Sequence, residues 1–295
     1  DIDLEYEDIS ARTIDSKTFR RVDGTYVLAV YNSIVHYDKD GEWVDIDNTL
    51  VYDENTSEYE NKDNKYKIKL PKEIDDNKKF KLSMDQYEIS WTISDIEKSE
   101  ISYSDSGKTS SSIKDLTLIN QGVNYNNIQD NVNLEYILSG NNIKENIVLE
   151  KYIEDYSISF TYSLKNLELI KDNGGLFVFV NSEGDVVFTM NSFFMYDSEG
   201  MDSEDILVTV EQTKVGEYTV TIIPNNEFLQ NANYPVTIDP TVTYHGDSNI
   251  ITDKYVWFSN ASDNGYLIVG YYSGVGYHYR SYLQFDLSQI PSDVK

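Results

Sequence analysis

The chain is 295 residues long, with 51 acidic against 24 basic side chains and a formal net charge of −27. That sign speaks against nucleic acid and against anionic lipid surfaces, both of which call for clustered Lys and Arg. It contains no cysteine, which removes disulfides, thiolate zinc sites and a cysteine nucleophile.

The length suits roughly two domains. Forty per cent hydrophobic residues, with 25 Tyr and 11 Phe, are enough to build a core. The opening "DIDLEYEDIS" has neither a charged n-region nor an apolar h-region, so no signal peptide is expected within it. "TYVLAVY" (25–31), "IVHY" (34–37) and "EWVDI" (42–46) read as strands, separated by "NS" and "DKDG", turn signals of the hairpin type. His36 is expected at a partly exposed position of its strand. "KYKIKL" (65–70), "FKLSM" (80–84) and "YEISWTI" (87–93) alternate wet and buried residues as half-buried strands do.

The polar "DSGKTSSSIK" (105–114) is the best internal linker. Its "GKTS" lacks the first glycine of a phosphate-binding loop, since position 102 is Ser, and no βαβ pattern surrounds it. "VNLEYIL" (132–138) and "IKENIVL" (143–149), joined by "SGNN", predict a hairpin. "LFVFV" (176–180), "VVFTM" (186–190) and "YTVTII" (218–223) continue the alternation, with "NSEGD" as a turn between the first two. Only "NNEFLQNA" (225–232) looks helical. In "YPVTIDPTV" (234–242), two prolines fence a four-residue strand, which suggests a domain seam near residue 240. Beyond it the chain changes in kind: residues 241–295 hold five acids, three bases and eight tyrosines, so nearly all the negative charge lies before the seam.

About twenty short strands at close spacing predict an all-β, antiparallel sandwich architecture. "YEISWTIS" (87–94) and "YSISFTYS" (156–163) echo each other. The echo reads as a duplicated sandwich or, more simply, as convergent strand chemistry. The longest apolar run, "YLIVGYY" (266–272), is far short of the about 20 residues that span a membrane, so no membrane insertion is expected.

Chemistry is harder to find. The three histidines have no metal-ligand spacing, and there is no nucleophile elbow or triad cue. Carboxylate pairs occur throughout, as they must among so many acids, and none is singled out for glycosidase chemistry. Oxygen-rich loops at "YDSEGMDSED" (196–205) and "NASDNG" (260–265) make Ca²⁺ a candidate cofactor, with Asp197, Asp202, Asp205 and Asp263 as ligands. Neither loop has the D-x-[DN]-x-[DN]-G pattern, and turn chemistry alone also accounts for them. In "GYHYRSYLQF" (276–285) alternation puts Tyr277 and Tyr279 on one face, His278 and Arg280 on the other. Planar rings beside hydrogen-bonding groups are how proteins hold sugars; with Trp257 and Tyr272, these are the candidate ligand-binding residues. The alternative reading makes Tyr277 and Tyr279 plain core residues.

Residues 18–50, "TFRRVDGTYVLAVYNSIVHYDKDGEWVDIDNTL", resemble the opening of large bacterial surface proteins with RHS/YD repeats, including wall-associated proteins. The match is carried by Val35-His36-Tyr37, Gly41-Glu42-Trp43 and Ile46-Asp47-Asn48-Thr49-Leu50, with Ile34 where that family has proline. "VNYNNIQDNVNLEYILSGNNIKENIVL" (123–149) is similar to the family's next segment, though Asn133 replaces the usual Asp, and "YPVTIDPTV" to its end. Residues 251–291 resemble the start of a DNRLRE module, through Leu267, Val269, Gly270, Arg280 to Leu283, Phe285 to Ser288 and Pro291. That resemblance implies a jelly-roll-like sandwich related to carbohydrate-binding modules, of which 241–295 would be an incomplete copy following a 1–240 sandwich region.

The resulting expectation is a non-catalytic segment of a secreted or cell-surface bacterial protein, part of a larger parent chain, serving adhesion or display with polysaccharide or cell-wall glycan as partner. The alternatives are a delivery segment of an RHS-type polymorphic toxin without its own ligand and, third, a polysaccharide-active enzyme.

Overall fold

A computed structural model describes residues 4–31, 33–104, 121–244, 251–257, 260–262, 270–272 and 277–285, with the backbone alone from 251 onward. The chain divides into two compact units. Val35–Gly246 is one; the two ends, Asp1–Ile34 and Asp247–Lys295, make the other.

In the end unit, β1 (Leu4–Glu7), β2 (Ser16–Arg21) and β3 (Tyr26–Val30) form a three-stranded antiparallel sheet. The larger unit opens with a hairpin, β4 (His36–Lys39) and β5 (Glu42–Asp45). Asp40 and Gly41 turn it with φ of 58° and 89°, the positive pair that a tight hairpin requires and that glycine adopts without strain. There follow β6 (Asp47–Asp53), β7 (Glu58–Asp63), β8 (Lys67–Pro71), β9 (Glu73–Ile74), β10 (Phe80–Met84), β11 (Tyr87–Ile93), β12 (Ser99–Ser104), β13 (Gln121–Gln129), β14 (Val132–Ser139), β15 (Asn142–Leu149) and β16 (Ile158–Lys165). Next come β17 (Glu168–Lys171), β18 (Phe177–Val180), β19 (Val186–Met190), β20 (Phe194–Tyr196), β21 (Asp202–Ser203), β22 (Ile206–Lys214), β23 (Glu217–Pro224), the helix α1 (Asn226–Asn231), β24 (Val236–Asp239) and β25 (Thr241–Tyr244). The end unit resumes with β26 (Ile251–Trp257), β27 (Asn260–Ser262), β28 (Gly270–Tyr272) and β29 (Tyr277–Phe285).

The larger unit is an antiparallel β-sandwich. One sheet runs β22-β23-β16-β11-β10-β8-β7-β6; the other runs β17-β18-β19-β25-β15-β14-β13-β12-β9, with β24, β20 and β21 attached beside β15. The alternation seen in the sequence becomes burial. Every second residue of β14, Val132, Leu134, Tyr136 and Leu138, is wholly buried, and their partners on β15, Leu149, Ile147, Glu145 and Ile143, are all buried too. Rings from both sheets meet in the middle: Phe80 lies 5.1 Å from Tyr136 and 5.6 Å from Tyr125, and Tyr162 lies 6.2 Å from Phe179. Burying such rings dominates the stability of a core like this.

The echo between residues 87–94 and 156–163 has a simple physical origin. β11 and β16 are antiparallel neighbours in one sheet, with Trp91 opposite Tyr162 and Thr92 opposite Thr161. The two segments look alike because they share an environment, and no second sandwich is involved.

The strand pairings bear on three features of the organisation. β24 and β25 both pair with β15 in one sheet, so the sheet runs through Pro240 and the compact unit ends at Gly246. Tyr234–Pro235, just before β24, is a cis peptide. The proposed linker at 105–114 lies outside the described residues; the strands flanking it, β12 and β13, pair with each other inside the same unit. Finally, the "NS" at 32–33 does not join a hairpin. β3 pairs with β2, β4 pairs with β5, and the unit boundary falls between Ile34 and Val35. A short polar dipeptide permits a hairpin without deciding which strands pair. The predicted helix is present, capped by Asn225, whose side chain accepts from the Phe228 N–H at 2.9 Å. Among the described residues, no helix is long and apolar enough to cross a membrane.

Candidate functional site

The six candidate ligand-binding positions all fall in the four-stranded sheet of the end unit, ordered β27-β26-β29-β28. Its register pairs Tyr272 with Tyr277, Tyr271 with His278, Gly270 with Tyr279 and Val256 with Arg280. Residues opposite one another in an antiparallel pair share a face, and neighbours along a strand alternate. Tyr272, Tyr277, Tyr279 and Trp257 therefore occupy positions on one face, with Tyr255 beside them. His278 and Arg280 occupy positions on the other, together with Lys254. The register thus assigns the four aromatic candidates to one surface and His278 and Arg280 to the opposite surface.

Among the described residues the acidic candidates do not gather into a metal-holding group. Asp197 is buried, and each of its carboxylate oxygens is occupied by the loop around it. Oδ1 accepts from the Met201 N–H at 2.8 Å and the Glu199 N–H at 3.0 Å. Oδ2 accepts from the Asn233 N–H at 2.9 Å and its side-chain amide at 3.4 Å. These donors, the Asn233 N–H foremost, hold the carboxyl below its usual pKa. Asp202 and Asp205 are exposed, and Asp205 is bonded to Asn225 Nδ2 at 2.6 Å. Asp263 lies outside the described residues. Among the described residues no three His, Asp or Glu side chains gather where they could hold a metal ion. Asp197 thus does for its loop what backbone carbonyls do in a strand, accepting the N–H groups of the turn around it.

His36 is fully buried rather than partly exposed. Its Nε2 lies 3.4 Å from Oδ1 of Asp45, its cross-strand partner on β5. Alternation counted only one of the faces that cover the β4–β5 hairpin.

The sequence reading missed one ionisable group. Glu145 points from β15 into the sandwich between Ile143 and Ile147, and is 4% exposed. Tyr136 Oη donates a short hydrogen bond to its Oε1, and the Trp91 indole N–H donates to Tyr136 Oη at 3.0 Å. Burial raises the Glu145 pKa to about 8. These residues border an internal cavity of about 10 Å³, room for about one water, so the carboxyl is closed to a substrate. The signal was present in "IKENIVL": the parity that turns Ile143, Ile147 and Leu149 inward turns Glu145 inward as well.

Compared with protein-family models, curated proteins and solved structures, the chain matches none of them.

Proposed function

We propose that this chain is a non-catalytic segment of a secreted or cell-surface bacterial protein and that it binds a glycan through the β26–β29 sheet. The observation that carries the reading is the register that puts Trp257, Tyr272, Tyr277 and Tyr279 on one face of that sheet. Aromatic positions on one face of a sheet suit the apolar faces of successive sugar rings, and stacking tolerates variation in the sugar. The resemblance of 251–291 to a DNRLRE module supports the same reading. His278 and Arg280, on the opposite face, stand apart from this role. The larger sandwich then acts as a rigid spacer within a longer surface protein. The test is a glycan array probed with the chain and with its Tyr277→Ala/Tyr279→Ala variant. Signals that vanish in the variant are expected; an identical pattern from both proteins would remove the proposal.

A further inference from the structure

A surface cleft of about 400 Å³ is lined by residues of both sheets of the larger unit, β6 to β8 of one and β9 and β12 of the other. That volume lies in the range of roughly 300–1,000 Å³ usual for small-molecule sites. Tyr52, on the edge strand β6, lines it and is 38% exposed. Behind it the Tyr59 ring is 5.0 Å away, and Tyr103 from the facing sheet lies 6.1 Å from Tyr59, edge-on. Half-buried Tyr59 thus sits between two exposed rings, Tyr103 at 58% and Tyr52 at 38%, and Tyr52 is the ring that lines the cleft.

The cleft is built, not incidental. The Lys72 backbone ties its walls together: its N–H donates to Ser57 O at 3.0 Å, in the β6–β7 turn, and its carbonyl accepts from the Ile101 N–H of β12 at 2.8 Å. The Lys72 ammonium reaches Oε1 of its neighbour Glu100 at 3.2 Å, beside the β9–β12 pairing. Holding the walls in place before a ligand arrives lowers the ordering cost of binding.

The charges decide the class of ligand. Three ammonium groups line the cleft, from Lys72, Lys78 and Lys79, against three carboxylates, from Glu58, Glu73 and Glu100. The lining has no net charge with which to recruit an ion, and the chain around it carries −27, which opposes anions. What remains is a dense alternation of donors and acceptors beside an aromatic face. Hydroxyl groups both donate and accept, so a polyol ring satisfies both kinds of partner at once.

We propose that this cleft binds a neutral saccharide unit, stacked on Tyr52 with its hydroxyls between the Lys72–Glu100 pair and the neighbouring charged groups. The site lies within the larger unit and does not depend on the β26–β29 sheet.

The experiment is calorimetric titration of the whole chain with neutral oligosaccharides (maltohexaose, cellohexaose, mannohexaose) and with oligogalacturonate. At least one neutral oligosaccharide is expected to bind. Tyr52→Ala should weaken that binding tenfold or more, and so should Glu100→Gln, which alters only an exposed side chain and guards against a folding defect in the tyrosine variant. Tyr277→Ala/Tyr279→Ala should leave this binding intact, which separates the two sites. The proposal falls if only oligogalacturonate binds, if no neutral oligosaccharide binds at millimolar concentration, or if binding survives in Tyr52→Ala and Glu100→Gln.

Discussion

Tyr136 on β14 hands its hydroxyl hydrogen to Glu145 on β15, deep inside the sandwich, while Trp91 from the opposite sheet donates to the same hydroxyl. The relationship joins the two sheets through a group that prefers to be neutral. Burial raises the Glu145 pKa from 4.5 to about 8. Between these two values the folded chain retains a proton that the unfolded chain has released. Stability from this group is fully present below the unfolded value and is lost as pH rises through the folded one, at up to about 1.4 kcal/mol per pH unit. Glu145→Gln keeps a neutral acceptor for Tyr136 and removes the titration. Urea unfolding from pH 5 to 9 should show the native chain losing this stability while the variant holds it. Parallel curves for the two proteins would contradict the assignment.

Phe80 is wholly buried, with its ring 5.5 Å from Trp91 and 5.1 Å from Tyr136. Phe80→Ala removes the centre of the cluster and leaves a cavity that rigid sheets on both sides cannot close. The expected loss is about 3–5 kcal/mol, read from the shift of the urea midpoint at unchanged slope.

Asn64 fastens the β7–β8 connection to the tip of the β14–β15 hairpin. Its Nδ2 donates to Asn48 Oδ1 at 2.9 Å and to Gly140 O at 3.0 Å, all in a buried setting. Asn64→Ala removes a donor from Gly140 O and the nearest donor from Asn48 Oδ1, leaving that oxygen only the 3.5 Å contacts of Asn61 Nδ2 and Tyr66 Oη, and should destabilise by about 1–3 kcal/mol. Hydrogen exchange at the Ser139–Asn142 turn should accelerate more than at the centre of β14.

Asp197 serves its loop as a carboxylate that accepts four N–H donors. Asp197→Ala should lower the melting temperature and expose the 196–205 segment to proteolysis. Its depressed pKa means that this contribution is present above the unfolded value and disappears as pH falls through the folded one. The native chain should therefore lose loop protection on acidification, and the variant should lack it at every pH. Calcium would have to displace those donors, so millimolar calcium should leave the protease sensitivity of this loop unchanged.

Much of this molecule is written in a two-residue code. Alternation in "VNLEYIL" and "YTVTII" named the buried faces of β14 and β23 because a strand puts successive side chains on opposite sides whatever its partners are. The turns "DKDG" and "SGNN" were legible for a similarly local reason: they need residues tolerant of positive φ, as Asp40, Gly41 and Gly140 are. The short helix was legible in "NNEFLQNA", and the structure caps it with Asn225.

What the code leaves out is partnership. Strands carry no local mark of which neighbour they will pair with, so the break after Ile34, the continuity of the sheet through Pro240 and the pairing of β11 with β16 depended on contacts between residues far apart in the chain. The same holds for chemistry. Glu145 reads as one acid among 51 until two sheets close over it and strip away its water. Tyr52, Lys72 and Glu100 come from three separate strands or their ends and line one cleft only once the two sheets are assembled. Side-chain direction is a property of one strand, whereas burial, proton affinity and a concave surface belong to the assembled pair of sheets.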